Sequence, residues 1–333
     1  MKTQVLSQPH QKAPPKLSPI AIIVLIAFIS CGLIALWSGD PYTLNILTYT
    51  FLFAGLAGAW NLIGGYGGQF SLGHGAFFGL GAYIVGGLYF NQQASPLLTL
   101  LPAAATAAIV GLLISWPTFR LKGPFFAIAT MAINEVFYAL ANYFDGLTGG
   151  PAGLAIPFKP AWESLIFADR SSYALLMLGY MVLVLLVTHI FTNSRTGHYL
   201  VAVREDEEAA AAIGINVTWT KCIAMALSAA LTAFGGGLFA MYIRMIDPPT
   251  VFTLAETGVK FALLALIGGA GTLFGPVVGA VAIVPLETYL RGYLSDYRPG
   301  MTLIVVGAVM ILAALFLKHG IVGALRKHFG SKP

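Results

Sequence analysis

The sequence predicts an all-α fold, a polytopic helical transmembrane bundle of about 8–10 spans with possible broken or re-entrant helices. Hydrophobic residues make up 58% of the 333-residue chain and charged residues only 9%, and the mean hydropathy is +0.82. A soluble domain carries about a quarter charged residues. The apolar runs are long and do not alternate as the roughly ten-residue strands of a membrane barrel do. These observations together predict a helical membrane protein.

The apolar runs divide the chain into a transmembrane domain and two tails. Residues 1–17 carry three lysines among Gln and Pro and are predicted to be a cytoplasmic tail. The run 18–37 is about twenty residues long and lacks a small-x-small cleavage site, which favours a retained anchor over a signal peptide. The domain spans 18–320, and 321–333 is a second cytoplasmic tail. Further spans are predicted at 43–63, 72–90, 97–117, 124–144, 172–192, 221–243, 257–268, 273–290 and 299–317. The two short ones within 257–290 are the candidates for broken or re-entrant helices.

Lysine and arginine in the connecting loops predict the orientation. With the N-terminus inside, the inner loops hold twelve of these residues and the outer loops five. The positive-inside rule then places both termini and the loop 193–220 in the cytoplasm.

The loop 193–220 is the one long charged interlude in the chain. Residues Tyr199 to Ile213 lack Gly and Pro and are rich in helix formers, which predicts a single helix with Gly214 as its C-terminal cap. Its charges could select a partner or could simply keep a solvated helix out of the bilayer. The charged residues are Arg204, Glu205, Asp206, Glu207 and Glu208.

A glycine-rich stretch covers residues 64–75. Many adjacent glycines predict an unwound segment, which at membrane depth must be buried in protein or line a wet cavity. The functional interpretation is a mobile break that lines the substrate path, with Gln69, Ser71 and His74 as its polar contacts; the alternative is tight helix packing. A nucleophilic Ser71–His74 pair lacks an evident carboxylate to orient it.

The same stretch contains a motif that recurs later in the chain. The segment 62–67 reads LIGGYG and the segment 266–271 reads LIGGAG. Internal repeats often bracket the substrate path of transporters, although so short a match also arises by chance in a Gly-rich chain.

Two polar residues, Asn134 and Glu135, fall in the middle of an apolar span. A carboxylate at that depth costs on the order of 3 kcal/mol, so it is expected to face the bundle interior. It belongs either to the translocation path or to a buried structural pair, for which Lys260 is the candidate partner. Glu287 is expected at a membrane interface.

Several motifs are absent. No Walker A motif occurs, because the glycine run that ends at Gly275 continues with Pro276 instead of Lys, and no H-E-x-x-H zinc motif occurs. Cys31 and Cys222 lie in or beside apolar segments and suggest neither a disulfide framework nor a metal site. No cofactor is therefore expected on this chain.

Four segments carry a resemblance to a known family. They read NLIGGYGGQFSLGHGAFFGLGAY (61–83), LTGGPAGL (147–154), SRTGHYLVAVREDEEAAAAIGIN (194–216) and IDPPTVF followed by LIGGAGTLFGPVVGA (246–280). With them the chain resembles the permease subunit of a bacterial high-affinity branched-chain amino acid ABC importer of the leucine/isoleucine/valine type, and it is most similar to the "M" permease of the pair.

The resemblance implies a function in import without bond chemistry. Glu208-Ala209-Ala210-x-x-x-Gly214 resembles the coupling helix that docks on an importer's ATPase. The expected ATPase-coupling residues are Arg204, Glu205, Asp206, Glu208, Ala209, Ala210 and Gly214. The implied partners are a sister permease, two ATP-binding subunits that use ATP and Mg, a periplasmic solute-binding protein and the lipid of the bacterial inner membrane.

Other functions remain open at this point. The same permease family serves urea and short-chain amide importers. An ion-coupled secondary transporter could use Glu135 and Lys260, but it leaves the Glu-Ala-Ala-x-x-x-Gly helix without a purpose. An intramembrane enzyme would need a nucleophile or metal constellation that the sequence lacks.

Overall fold

A computed structural model describes residues 39–121, 123–294, 300–316 and 320–329. The described chain is a helical bundle whose helices are α1 Pro41–Asn61, α2 His74–Gln92, α3 Pro96–Thr118, α4 Pro124–Tyr143, α5 Asp145–Thr148, α6 Arg170–Thr192, α7 Arg195–Glu205, α8 Glu207–Ala212, α9 Val217–Ile243, α10 Pro248–Phe252, α11 Gly258–Gly268, α12 Gly275–Leu294, α13 Met301–Phe316 and α14 Gly320–Phe329. A π-helical turn, Leu62–Tyr66, extends α1, and 3₁₀ turns occupy Gly150–Ala152 and Trp162–Ser164. Strands β1 Leu154–Ala155 and β2 Met245–Ile246 form one antiparallel pair.

The observed helices confirm the predicted all-α membrane fold. Five helices among the described residues are long and apolar enough to cross a membrane: Pro41–Tyr66, Pro96–Thr118, Pro124–Tyr143, Arg170–Thr192 and Val217–Ile243. The short span predicted at 257–268 is present as the 11-residue helix α11, and the separate short helix α10 precedes it. The predicted anchor at 18–37 and the tail at 1–17 lie outside the described residues.

Helix starts follow the local sequence. Proline occupies the first position of α1, α3, α4 and α10, where its missing N–H would have no partner in any case. Asp40 caps α1, since one carboxylate oxygen accepts the backbone N–H of Thr43 at 2.9 Å and its hydroxyl at 2.6 Å. These signals explain why the observed boundaries lie within a few residues of the predicted ones.

Helix α1 forms the centre of the bundle. It packs against α6, α9, α11 and α12, and residues 50–61 are all buried. Trp60 and Phe51 are among the largest fully buried side chains. A helix that is apolar all round belongs in the interior, and α1 satisfies that rule.

The two ends of the bundle differ, and they are called here the loop end and the far end. The loop end holds α7 and α8, and Gly320 at the start of α14 packs on the backbone of Gly269 there. At the far end β1 pairs with β2, and Arg170 donates to the carbonyl of Pro41 at 3.2 Å. The charged loop and the described C-terminal helix therefore share one end.

The prediction of one continuous helix over 199–213 is wrong, because the structure has two helices there. Asp206 is extended, with φ −156° and ψ 111°, and it separates α7 from α8. Its carboxylate accepts the N–H groups of Glu208 and Ala209 at 2.9 and 3.0 Å. An aspartate that binds the backbone in this way competes with helical geometry, so the chain restarts as a new capped helix.

The predicted cap of this segment is confirmed. Gly214 has φ +90°, and its N–H binds the carbonyl of Ala211 at 3.0 Å. The N–H of Ile215 binds the carbonyl of Ala210 at 3.1 Å. These two bonds form a Schellman motif, which requires the left-handed conformation that glycine adopts most easily.

Close approach of α2 and α9 provides a test of the packing. A Cβ added at Gly81 would overlap the backbone of Ala233, and one added at Gly236 would overlap the backbone of Phe78. Small residues at crossings of this kind hold membrane helices together. We expect Gly81→Val or Gly236→Val to lower the free energy of unfolding by about 1–3 kcal/mol, the usual cost of overpacking.

The measurement is the thermal denaturation midpoint of the purified protein in detergent. Gly179→Val in α6 is the matched control, because nothing lies within 4 Å of a Cβ added there. Equal midpoints for all three variants would refute the proposed role of this crossing.

Candidate functional site

The glycine-rich segment leaves helical geometry inside the bundle. After the π-helical turn the chain is non-helical from 67 to 73, as its glycines predict. Neighbouring side chains satisfy its backbone. The indole N–H of Trp60 donates to the carbonyl of Ser71 at 2.7 Å, and the N–H of Leu72 donates to Thr130 Oγ1 at 3.0 Å. Protein groups thus replace the hydrogen bonds that lipid cannot supply.

His74 connects three elements through a buried chain of hydrogen bonds. The ring and Ser71 are fully buried, and Ser228 Oγ donates to the carbonyl of Ala59 at 2.6 Å. His74 Nε2, at 2.8 Å from Ser228 Oγ, therefore carries the proton. His74 Nδ1 then accepts from Ser71 Oγ at 3.1 Å. The Ser71–His74 pair exists, but serine hydroxyls occupy both ring nitrogens, and this arrangement links helices instead of activating a nucleophile.

Asn134 and Glu135 lie in different environments. Asn134 is fully buried, and its amide donates to the carbonyl of Phe252 at 2.7 Å. Glu135 is exposed and lines a groove with Tyr138 and residues 252–255 and 259. Adjacent helical residues point about 100° apart, so both side chains cannot enter the interior. The expectation that Glu135 faces inward is therefore not met in this conformation.

Lys260 has partners other than Glu135, so the predicted pair is wrong. Its ammonium nitrogen lies 3.3 Å from Glu256 Oε2 and 2.8 Å from Glu287 Oε2. Arg291 Nη2 lies 3.1 Å from Glu256 Oε1 and 2.9 Å from Glu287 Oε1. These four residues form a closed ring of alternating charge, called here the charge ring. Glu287 is buried within it instead of lying at a membrane interface.

The segment 204–214, which is predicted to couple to an ATPase and is called here the coupling segment, has an inward and an outward side. Glu205, Asp206, Glu208, Ala209 and Gly214 are exposed, and Ala210 is buried. Nothing lies within 4 Å of a Cβ added at Gly214. The outward residues therefore form an open surface at the loop end.

Arg204 reaches into the bundle. Its Nη1 donates to the carbonyl of Gly65 at 3.0 Å, and its side chain packs over Gly68. The repeated glycine motifs meet at this point. Asn61 accepts the N–H of Gly271 at 2.8 Å and donates to the carbonyl of Thr272 at 2.9 Å. This contact between 61–68 and 271–272, with Arg204 on it, is called here the glycine junction.

Glu207 and Lys221 form a second link between the loop and the spans. Their side chains form an ion pair, and the Lys221 side chain is 3% exposed. Lys221 also lies over the ring of Phe119, 5.8 Å from its centroid. Gln69 Nε2 approaches the same Glu207 at 3.5 Å, so this predicted path residue contacts the coupling segment.

Sequence reasoning missed Asn61 and the charge ring. The ring does leave a local signal, because Glu256 with Lys260 and Glu287 with Arg291 are opposite charges spaced i,i+4. The sequence signal for Asn61 is limited to its position beside the first glycine motif. No group of three or more potential metal ligands occurs among the described residues.

These features define a multi-pass helical membrane protein with an open, charged helical surface at one end. A family profile described as "Branched-chain amino acid transport system / permease component" matches residues 42–314. The chain belongs to this family. The resemblance inferred from the sequence is thereby confirmed, and the chain is a transport permease component and not an enzyme.

Several curated proteins are similar to the chain. The branched-chain amino acid permease protein LivM of Escherichia coli K12 is 28% identical over 85% of this chain and 71% of its own length. LivH of the same organism is 24% identical over 86% of this chain and 92% of its own length. The fructose import permease protein FrcC of Rhizobium meliloti is 25% identical over 90% of this chain and 84% of its own length. No solved structure matches the chain.

The buried histidine gives a second test. His74→Ala removes one donor and one acceptor and leaves two buried hydroxyls without these partners, each of which costs about 1–3 kcal/mol. We expect the thermal denaturation midpoint in detergent to fall clearly below that of the unmodified protein. His198→Ala is the control, because His198 is exposed and its ring Nδ1 lies 2.7 Å from the carbonyl of Ser194, one turn earlier on the surface. An equal fall in the denaturation midpoint of His198→Ala would contradict a stabilising role for the buried hydrogen bonds of His74.

Proposed function

We propose that this chain is one permease of an ATP-driven importer and forms, with a sister permease, the translocation path for branched-chain amino acids delivered by a periplasmic binding protein. One observation carries the proposal. The exposed residues Glu208, Ala209 and Gly214 at the loop end form an open surface of small and acidic side chains, which suits close docking of another subunit. Family membership supports the same function.

The proposed location is the bacterial inner membrane, with the loop end in the cytoplasm. The excess of Lys and Arg in the loops on that side supports this orientation. The tails 1–17 and 321–333 are then cytoplasmic, and the domain between them spans the membrane. The far end faces the binding protein.

The proposed mechanism transmits motion from the ATPases through the glycine junction. ATP and Mg bind to two separate ATP-binding subunits, since this chain has no Walker A lysine. Docking of α8 on such a subunit moves the segment 193–220. Arg204 carries that motion to α1 because its guanidinium holds the carbonyl of Gly65. The driving term is the different affinity of the two conformations for nucleotide.

The proposed substrate path includes Gln69, Ser71, His74, Asn134 and Glu135. Glu135 is the exposed member and lines a groove beside α10 and α11, where a sister permease can complete the path. Ser71, His74 and Asn134 are buried. These three residues become available when the helices separate, and the buried Asn134 Oδ1 has no hydrogen-bond partner among the described residues.

Two variants test docking on the ATP-binding subunits separately from transmission of motion through the glycine junction. We expect Glu208→Arg to abolish co-purification with the ATP-binding subunits, because it reverses a charge on the docking surface. We expect Arg204→Gln to preserve co-purification and ATP hydrolysis but to lower uptake roughly tenfold, within the usual range of coupling free energies. Co-purification, ATPase activity and uptake are measured on the same proteoliposome preparation.

The control for these two variants is Arg195→Gln. Arg195 is exposed at the first position of α7, at the opposite end of that helix from Arg204. We expect it to behave as the unmodified complex. Arg204→Gln with full uptake would refute transmission through the junction.

The substrate is tested by uptake of labelled leucine, fructose and urea into proteoliposomes that hold the complete complex. We expect leucine uptake that requires internal ATP. ATP-dependent uptake of urea or fructose instead of leucine would support the proposed mechanism but contradict the proposed substrate. Uptake by this chain alone, without ATP, would overturn the importer and favour a gradient-driven transporter.

A further inference from the structure

A cavity opens beside the charge ring at the far end of the bundle. Its volume is about 490 Å³, and all four residues of the charge ring line it. Four polar residues also line it: Asn45, Thr250, Thr257 and Thr288. The remaining lining residues are aromatic and aliphatic: Tyr49, Phe53, Phe78, Phe239, Ile243, Pro249 and Val284. A mostly apolar cavity with a few convergent charged groups is typical of a small-molecule site.

The charge ring has a buried and an accessible half. The side chains of Lys260 and Glu287 are 7% and 9% exposed, whereas those of Glu256 and Arg291 are 37% and 56% exposed. Lys260 is held further by the ring of Phe53, 4.2 Å from its centroid. The buried pair therefore has a fixed place, and the accessible pair meets whatever enters the cavity.

The accessible pair matches a zwitterion. An incoming α-carboxylate can replace Glu256 on the guanidinium of Arg291, while the α-ammonium replaces Arg291 on the carboxylate of Glu256. Each buried charge keeps its partner, and the net charge of the ring stays zero. Such an exchange changes the free energy little in either direction. This suits a site on a transport path, which must also release its ligand.

We propose that this cavity is a binding site for a zwitterionic α-amino acid with an apolar side chain. Glu256 holds the α-ammonium and Arg291 the α-carboxylate, while the aromatic wall covers the side chain. This inference rests on the proposed import function and names where the substrate first meets the permease. A neutral sugar offers no charges for the exchange, and a lone anion or cation would unbalance the ring.

The experiment measures whether leucine protects a cysteine at the cavity mouth. Thr250 lines the cavity and is exposed, so Thr250→Cys is placed in a Cys31→Ser, Cys222→Ser background of the assembled complex without binding protein. We expect millimolar leucine to slow labelling by a water-soluble maleimide severalfold. Ala161→Cys is the matched position, because Ala161 is also exposed but lines neither this cavity nor the groove beside Glu135. Its labelling should not change.

Two sets of controls identify the chemistry. Leucinol lacks the carboxylate, 4-methylpentanoate lacks the ammonium and fructose lacks both, so none of them should protect. Glu256→Gln should abolish protection by leucine. Glu163→Gln, an exposed carboxylate at the far end outside the cavity, should leave it intact. A charge ring that only joins α11 to α12 would produce no ligand-dependent labelling at all.

The outcomes separate this site from the proposed function. Labelling that leucine does not slow at Thr250→Cys, or at Asn45→Cys as a second lining position, would overturn the site if the complex still imports leucine. Equal protection by leucinol would overturn the zwitterion assignment. A complex that imports no leucine although leucine protects the cysteine would overturn the import function instead.

Discussion

The backbone contact at the glycine junction is the constraint on which the rest of the structure depends. A Cβ at Gly65 would overlap both the Asn61 amide and the N–H of Gly271, so the two chain segments meet without side chains between them. Buried polar backbone groups need a hydrogen-bond partner. Asn61 supplies two such partners, and Arg204 supplies a third. The junction therefore fixes α1, α11 and the charged loop relative to one another.

Much of the fold could be predicted because membrane helices leave strong local signals. Apolar runs set the spans, proline set several helix starts and Gly214 set the end of α8. The repeat of LIGGxG also carried real information. The two copies lie at the ends of α1 and α11 and touch each other.

The side-chain directions could not be predicted in the same way. Composition places Asn134 and Glu135 at one depth, but only the packed neighbours decide which of them is buried. Arg204 belongs by sequence to an acidic, solvated run, yet its long side chain crosses to Gly65, 139 residues earlier in the chain. Asp206 shows the same limit at short range, since its capping bonds divide the helix that the propensities of its neighbours predict as continuous.

The charge ring explains how Lys260 can be buried in a membrane protein. A single buried ammonium would be strongly disfavoured, and one carboxylate partner often fails to offset its desolvation. Lys260 has two carboxylates and the face of an aromatic ring. Arg291 completes the neutral set by binding both carboxylates, so removal of any one member leaves a buried imbalance.

Helix α11 connects the charge ring with the glycine junction. Lys260 lies in its first turn, and Gly268 at its end leads directly into the junction residues Gly271 and Thr272. At 1.5 Å per residue an 11-residue helix is about 16 Å long. Helix α11 also packs directly against α12, which carries Glu287. One chain segment therefore contributes Lys260 to the cavity at the far end and Gly271 and Thr272 to the glycine junction.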